Sequence, residues 1–169
     1  MFKSASQEEK EQFMRKAVEI SEEGASSGLG LPFGAVIVKD GKVIAESPNR
    51  SLIDYDPTAH AEVSAIRKAC KELKTIDLTG CHIYTSCYPC RMCMAAIYWA
   101  RLEAIFYAVS MEEYSQAANF NIWTKMMTED EVKPNEERTI YREWVSSYAE
   151  AAKKVGEEWL LKKEKAEKA

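Results

Sequence analysis

The stretch PTAHAEVSAIRKACKELKTIDLTGCHIYTSCYPCRMC, residues 57–93, decides the fold. From His60 to Leu73 the residues Glu62, Val63, Ile66, Ala69, Cys70 and Leu73 recur at helical spacing. A short strand, His82 to Thr85, leads into Cys87-Tyr88-Pro89, and a second helix follows from about Arg91 to Ala100. Working outward, Phe33 to Lys39, Asp40-Gly41 and Lys42 to Glu46 read as a hairpin on an Asp-Gly turn. Before it, Ser6 and Glu9 form a capping box for a helix carrying Phe13, Ala17, Val18 and Ile20, which Gly24 is expected to end. Asn49 to Pro57 lacks periodicity and reads as loop, and Leu102 to Val109 is strand-like. Helix, hairpin, helix, strand, helix, strand predicts an α/β fold with a mixed sheet.

Past that core, Asn119 to Thr139 is polar and broken by Pro134. Trp144, Tyr148, Ala151, Ala152, Val155 and Trp159 then form an apolar stripe on a long amphipathic helix. The reading is one domain over 1–140 and a C-terminal helical extension over 141–169. That stripe is long for one small domain to cover, which predicts a homodimer.

The chain has 169 residues, 46% hydrophobic and 30% charged, as an ordinary globular protein does. No apolar run reaches the length of about 18 residues that a membrane span needs. MFKSASQEEKEQF has no apolar signal core, so a cytoplasmic location is expected. The net charge of −4 disfavours a nucleic-acid partner, whose affinity comes largely from counterion release, and favours a small neutral molecule. Five cysteines, an odd number, argue against a disulfide framework.

Chemistry concentrates in Thr58-Ala59-His60-Ala61-Glu62 and Pro89-Cys90-Arg91-Met92-Cys93. Zinc prefers imidazole nitrogen and thiolate sulfur, and a catalytic zinc keeps three protein ligands with a fourth position open to water. Cys90 and Cys93, at i and i+3, share one helix face, and Pro89 marks a helix start where the dipole favours thiolates. His60 and Glu62, at i and i+2, do not face each other on a regular helix, so His60 must sit in the irregular lead-in. Glu62 falls on the core-facing stripe, where desolvation raises a carboxyl toward values useful for proton transfer. These residues predict one zinc held by His60, Cys90 and Cys93, with Glu62 as proton shuttle. Taken singly, Cys-x-x-Cys also fits a structural zinc or a redox pair, and His-Ala-Glu fits a helix cap.

The order H-x-E then P-C-x-x-C, set among PFGAVIVKDGKVIAE, DPTAHAEVSAIRKAC, YTSC-x-PC-x-MC and AIYWAR with EERTI later, resembles the cytidine deaminase-like superfamily of zinc deaminases. It is most similar to the bacterial guanine deaminase branch. The resemblance implies a three-layer α/β/α fold with a sheet of about five strands and hydrolytic release of ammonia from an amino-substituted nucleobase. It also implies a dimer that exchanges C-terminal segments. Carried over by position, it puts Asn49, Ala61, Phe33 and Trp99 among the substrate contacts. Asn49 would hold the base through its amide, and Phe33 and Trp99 would wall it, although either aromatic also reads as core.

The chain departs from that branch in three places. Tyr88 stands where the pattern has Glu, Arg91 where it has Pro, and Asn121-Ile122 where it has an acidic pair. These changes leave the zinc chemistry intact and open the substrate to related aminopurines and heterocycles. Alternative readings are a tRNA adenosine deaminase, a cytosine or nucleoside deaminase, and a non-catalytic zinc module. Cys87, three residues before Cys90, could in principle close the metal's fourth position.

Overall fold

Two faces of one short sheet receive different helices, and the strand alternation explains why. The computed structural model describes residues 5–28, 30–118, 132–134 and 137, with backbone alone at 115–118. Its elements are α1 (Gln7–Ser26), β1 (Gly34–Lys39), β2 (Lys42–Pro48), α2 (Ala61–Leu73), β3 (Cys81–Thr85), α3 (Arg91–Trp99), β4 (Ala104–Tyr107) and α4 (Met111–Ala118). The strands lie in the order β2-β1-β3-β4, antiparallel except for the parallel β3–β4 pair.

Val36, Val38 and Tyr84 point to one face and pack on Phe13, Ala17 and Ile20 of α1. Ala35, Ile37 and Ile83 point to the other, against Ala61, Ala65 and Ala69 of α2 and Ile97 of α3. The result is the expected three-layer α/β/α arrangement with a mixed sheet. Of the five strands anticipated, four lie among the described residues. Asp40 and Gly41 both take positive φ, 50° and 70°, as the predicted hairpin turn demands.

Helix α1 starts on the predicted box: the Ser6 hydroxyl accepts from the Glu9 amide at 3.2 Å, and Glu9 returns a bond to the Ser6 amide at 2.8 Å. It does not stop at Gly24 but runs to Ser26. Gly24 is buried, and a Cβ there would lie 2.9 Å from the Pro48 side chain, so it serves close packing and not termination. Helix α4 was not anticipated, although Ser110 and Glu113 build a second box at its start.

Contacts divide the chain into two compact units, Met1–Ile122 and Trp123–Ala169, and every element above belongs to the first. Asn119 to Ile122 and the expected extension 141–169, with its Trp144-to-Trp159 stripe, lie outside the described residues. Among the described residues no helix is long and apolar enough to cross a membrane.

Gly34 ties the first two layers together. A Cβ on it would meet the Ala17 carbonyl oxygen at 2.2 Å and the Ser21 amide nitrogen at 2.7 Å, both backbone atoms that cannot swing aside. Gly34→Ala is expected to destabilise the fold by about 2 kcal/mol or more, read as a lowered Tm in thermal unfolding. An unchanged Tm would contradict this packing.

Candidate active site

The register places one end of the sheet at the start of β1 and the ends of β2, β3 and β4. Gly34 pairs with Pro48, Ala35 with Thr85, and Thr85 with Tyr107. The segments that leave this end carry the chemistry-bearing residues.

His60 and Cys90 are the N-caps of α2 and α3, with extended φ/ψ of −60°/158° and −65°/168°. Neither side chain caps its own helix, so both are free to meet. The irregular lead-in required of His60 is therefore present, and it rests on a braced loop. Asp56 accepts from the Thr58 amide at 2.8 Å and from its hydroxyl at 2.6 Å, and Arg67 of α2 reaches back to Asp56 at 3.2 Å. These exposed contacts contribute little energy and act by orienting the loop.

Cys90 Sγ and Cys93 Sγ are 3.5 Å apart, and His60 Nδ1 lies 3.6 Å from the first and 3.5 Å from the second. Zn–S and Zn–N bonds of about 2.3 and 2.1 Å at tetrahedral angles would set these edges at about 3.6–3.8 Å. The triangle thus has the size that a zinc ion requires. Among the described residues, His60, Cys90 and Cys93 are the one group of such side chains gathered closely enough to hold a metal.

Charge in this group follows from its contacts. A hydrogen bond from the Cys93 thiol lowers Cys90 to about 4, while the same shared proton and burial push Cys93 up. His60 is raised, mainly by its contact with Cys90. Glu62, 7% exposed in the first turn of α2, is raised by desolvation, with its carboxyl near its own amide and the Cys93 thiol. Cys87 is buried and pushed up to about 11 by desolvation, and it stands outside the metal-sized group.

The anticipated substrate contacts divide. Asn49 is buried, and the backbone amide of its neighbour Arg50 donates to the Ala59 carbonyl at 2.8 Å, which ties this loop to the lead-in of α2. Its Oδ1 accepts from the Ser51 amide at 3.0 Å, while its Nδ2 has no partner. Gly30 presses close, since a Cβ there would lie 2.3 Å from the Asn49 carbonyl oxygen. The Asn49 amide donates to the Phe33 carbonyl at 2.9 Å, and so Phe33 joins the same end. Ala61, fully buried, opens α2 between His60 and Glu62.

Trp99 stands apart. It is the last residue of α3, 87% exposed, in a cleft of about 770 Å³ with Ile76, Tyr98 and Arg101. Its reading as plain core is wrong: Cys93 and Ile97 take the buried face of α3, leaving Tyr98 and Trp99 outward. Sequence reasoning also missed Tyr114 on α4, whose ring lies 5.1 Å from that of Phe33. The Ser110 box was the available signal for that helix.

Three nitrogen and sulfur donors at zinc spacing, a buried carboxyl beside them and an α/β/α frame define a zinc-dependent hydrolytic deaminase. The chain belongs to the cytidine and deoxycytidylate deaminase family: residues 7–109 match that family's zinc-binding region. It is 52% identical to guanine deaminase of Bacillus subtilis over 130 residues, 77% of this chain and 81% of the relative. It is 39% identical to the tRNA-specific adenosine deaminase of Aquifex aeolicus, over 67% of this chain and 75% of that one. The solved structure of the Bacillus subtilis guanine deaminase superposes with a TM-score of 0.72 at 50% identity, covering 80% of this chain and 84% of that one.

The donor set makes a direct prediction for metal analysis. Cys93→Ser is expected to lower bound zinc well below one per chain, whereas Cys87→Ser keeps it. Loss of zinc in Cys87→Ser would show that Cys87 is a ligand.

Proposed function

We propose that the enzyme removes the amino group of guanine or a closely related aminopurine, with His60, Cys90 and Cys93 holding zinc and Glu62 moving protons. The observation that carries this reading is the Asn49 side-chain amide: buried on the loop bonded to the lead-in of α2, its oxygen engaged and its nitrogen unpaired. An unmatched buried donor costs about 1–3 kcal/mol, a cost that a ligand acceptor offsets. A purine carbonyl or ring nitrogen offers such an acceptor. The 52% identity to a guanine deaminase supports the same substrate class, and the net charge of −4 weighs against a tRNA substrate.

Zinc bound at this group supplies a Lewis acid that lowers the pKa of water toward neutrality. Glu62 accepts a proton from the attacking water and passes it to the ring nitrogen. A second proton goes to the departing amine through the same carboxyl, so that water and an amino group become a carbonyl and ammonia. Burial, which raises Glu62, keeps its two protonation states close enough in energy for this exchange. The Ala61 amide, in the unpaired first turn of α2, and the Phe33 ring complete the base-binding surface.

The assembly is proposed to be a homodimer in the cytoplasm, with each C-terminal segment after residue 140 closing the other copy's site. Ile76, Tyr98 and Trp99 form an exposed apolar cluster that such a partner would cover. Trp99 ends a helix that begins at the metal, about 13 Å away along its axis at 1.5 Å per residue. Its proposed role as a base wall therefore belongs in the partner's site. All five cysteines are free, which suits a reducing compartment.

Ammonia release should be fastest with guanine or 2,6-diaminopurine in a panel that includes adenine, cytosine, their nucleosides and tRNA. Turnover confined to tRNA or cytosine would overturn the substrate assignment. Glu62→Gln should keep zinc and fold while losing about a hundredfold or more in kcat. Asn49→Ala should lower kcat/KM by about 10- to 100-fold. In light scattering at micromolar concentration the protein should run as a dimer of about 38 kDa, twice the 19.2 kDa chain. A monomer there would remove the assembly.

A further inference from the structure

Tyr114 of α4 packs on the segment that leads into β1 at the active-site end of the sheet. Its hydroxyl donates to the Pro32 carbonyl at 3.2 Å, and its ring meets the Phe33 ring at 5.1 Å, tilted by 42°. Helix α4 is itself fixed there. The Ser110 amide donates to Glu113 at 3.0 Å, the Glu113 amide returns to the Ser110 hydroxyl at 3.2 Å, and the Tyr88 amide donates to the Val109 carbonyl at 2.9 Å. The last of these bonds the lead-in of α4 directly to the segment that carries Cys90.

On the inner side, the Phe33 backbone is held by the Asn49 amide, and Gly34 by the Ser86 hydroxyl at 3.0 Å. The Phe33 ring is half-buried, and the Tyr114 ring packs against it. We propose that Tyr114 is a positioning residue for substrate, its ring and hydroxyl fixing the Phe33–Pro32 corner so that Phe33 presents a preformed face to the base. This rests on the reading of Phe33 as a base wall. A preformed face removes an ordering cost from binding and leaves the proton transfers at Glu62 untouched, so the effect falls on KM.

The test uses the zinc-loaded full chain with guanine, or the panel base turned over fastest, as probe. Tyr114→Leu and Tyr114→Met should raise KM by about three- to tenfold, the scale of one aromatic pair, with kcat within about twofold of wild type. Tyr114→Phe keeps the ring and should recover most of that loss. Phe33→Leu should raise KM, and Tyr114→Leu added to it should change nothing further, because the first residue acts through the second. Zinc content and Tm, measured alongside, should match wild type, and Tyr114→Met stands in if the leucine variant loses metal. A normal KM in Phe33→Leu overturns the wall reading, and the proposal with it. A raised KM in Phe33→Leu together with a normal KM in both ring-less Tyr114 variants, or with effects that multiply in the double variant, overturns the proposal alone.

Discussion

Three donor atoms must come within about 3.6 Å of one another, although they belong to segments thirty or more residues apart. The backbone meets this demand by using the same device twice. An N-cap residue keeps extended backbone angles while its carbonyl already joins the helix, so its side chain projects across the helix end instead of along its flank. With His60 and Cys90 in those positions, two helix starts face one point, and Cys93 follows one turn behind on the inner face of α3. The unpaired amides and dipoles of both helix ends favour thiolate sulfur there. The sheet register, the braced 49–59 loop and the close approach at Gly34 all serve to hold these two ends in place.

Around that point the structure separates two tasks. Metal and acid come from helix starts, which strand pairing fixes rigidly. The proposed base-binding surface comes from pieces that join the same end through loops, Asn49 after β2 and Phe33 before β1, with Tyr114 beyond β4 packed on Phe33. Changes in the loops can therefore alter which ring is held while the donor triangle stays intact. This accounts for a family that includes relatives acting on free guanine and on tRNA adenosine.

Much of this was legible in the sequence because the signals were local. The Asp-Gly turn, the Ser6–Glu9 box and the i, i+2 spacing of His60 and Glu62 each impose a backbone state, and each state is present. Gly24 misled because glycine has two uses, and only the approach of Pro48 reveals which one applies. Trp99 lay within an apolar run, AIYWA, whose inward face becomes clear only when Cys93 is taken as the helix's inner reference and Ile97 one turn on follows it. The free Asn49 nitrogen could not be read at all. It depends on which atom of the amide the Ser51 backbone occupies, a fact of folding and not of composition.

The chain from His60 to Cys90 runs through helix α2 and the inner strand β3. In the unfolded chain the two thiols are an incomplete donor set, and the complete triangle belongs to the folded arrangement of α2, β3 and α3. Zinc bound by the complete triangle therefore favours the folded chain over the unfolded one. Its stabilisation follows mass action, growing as the logarithm of free zinc above the dissociation constant. A fall in free zinc would therefore remove that stabilisation together with the chemistry.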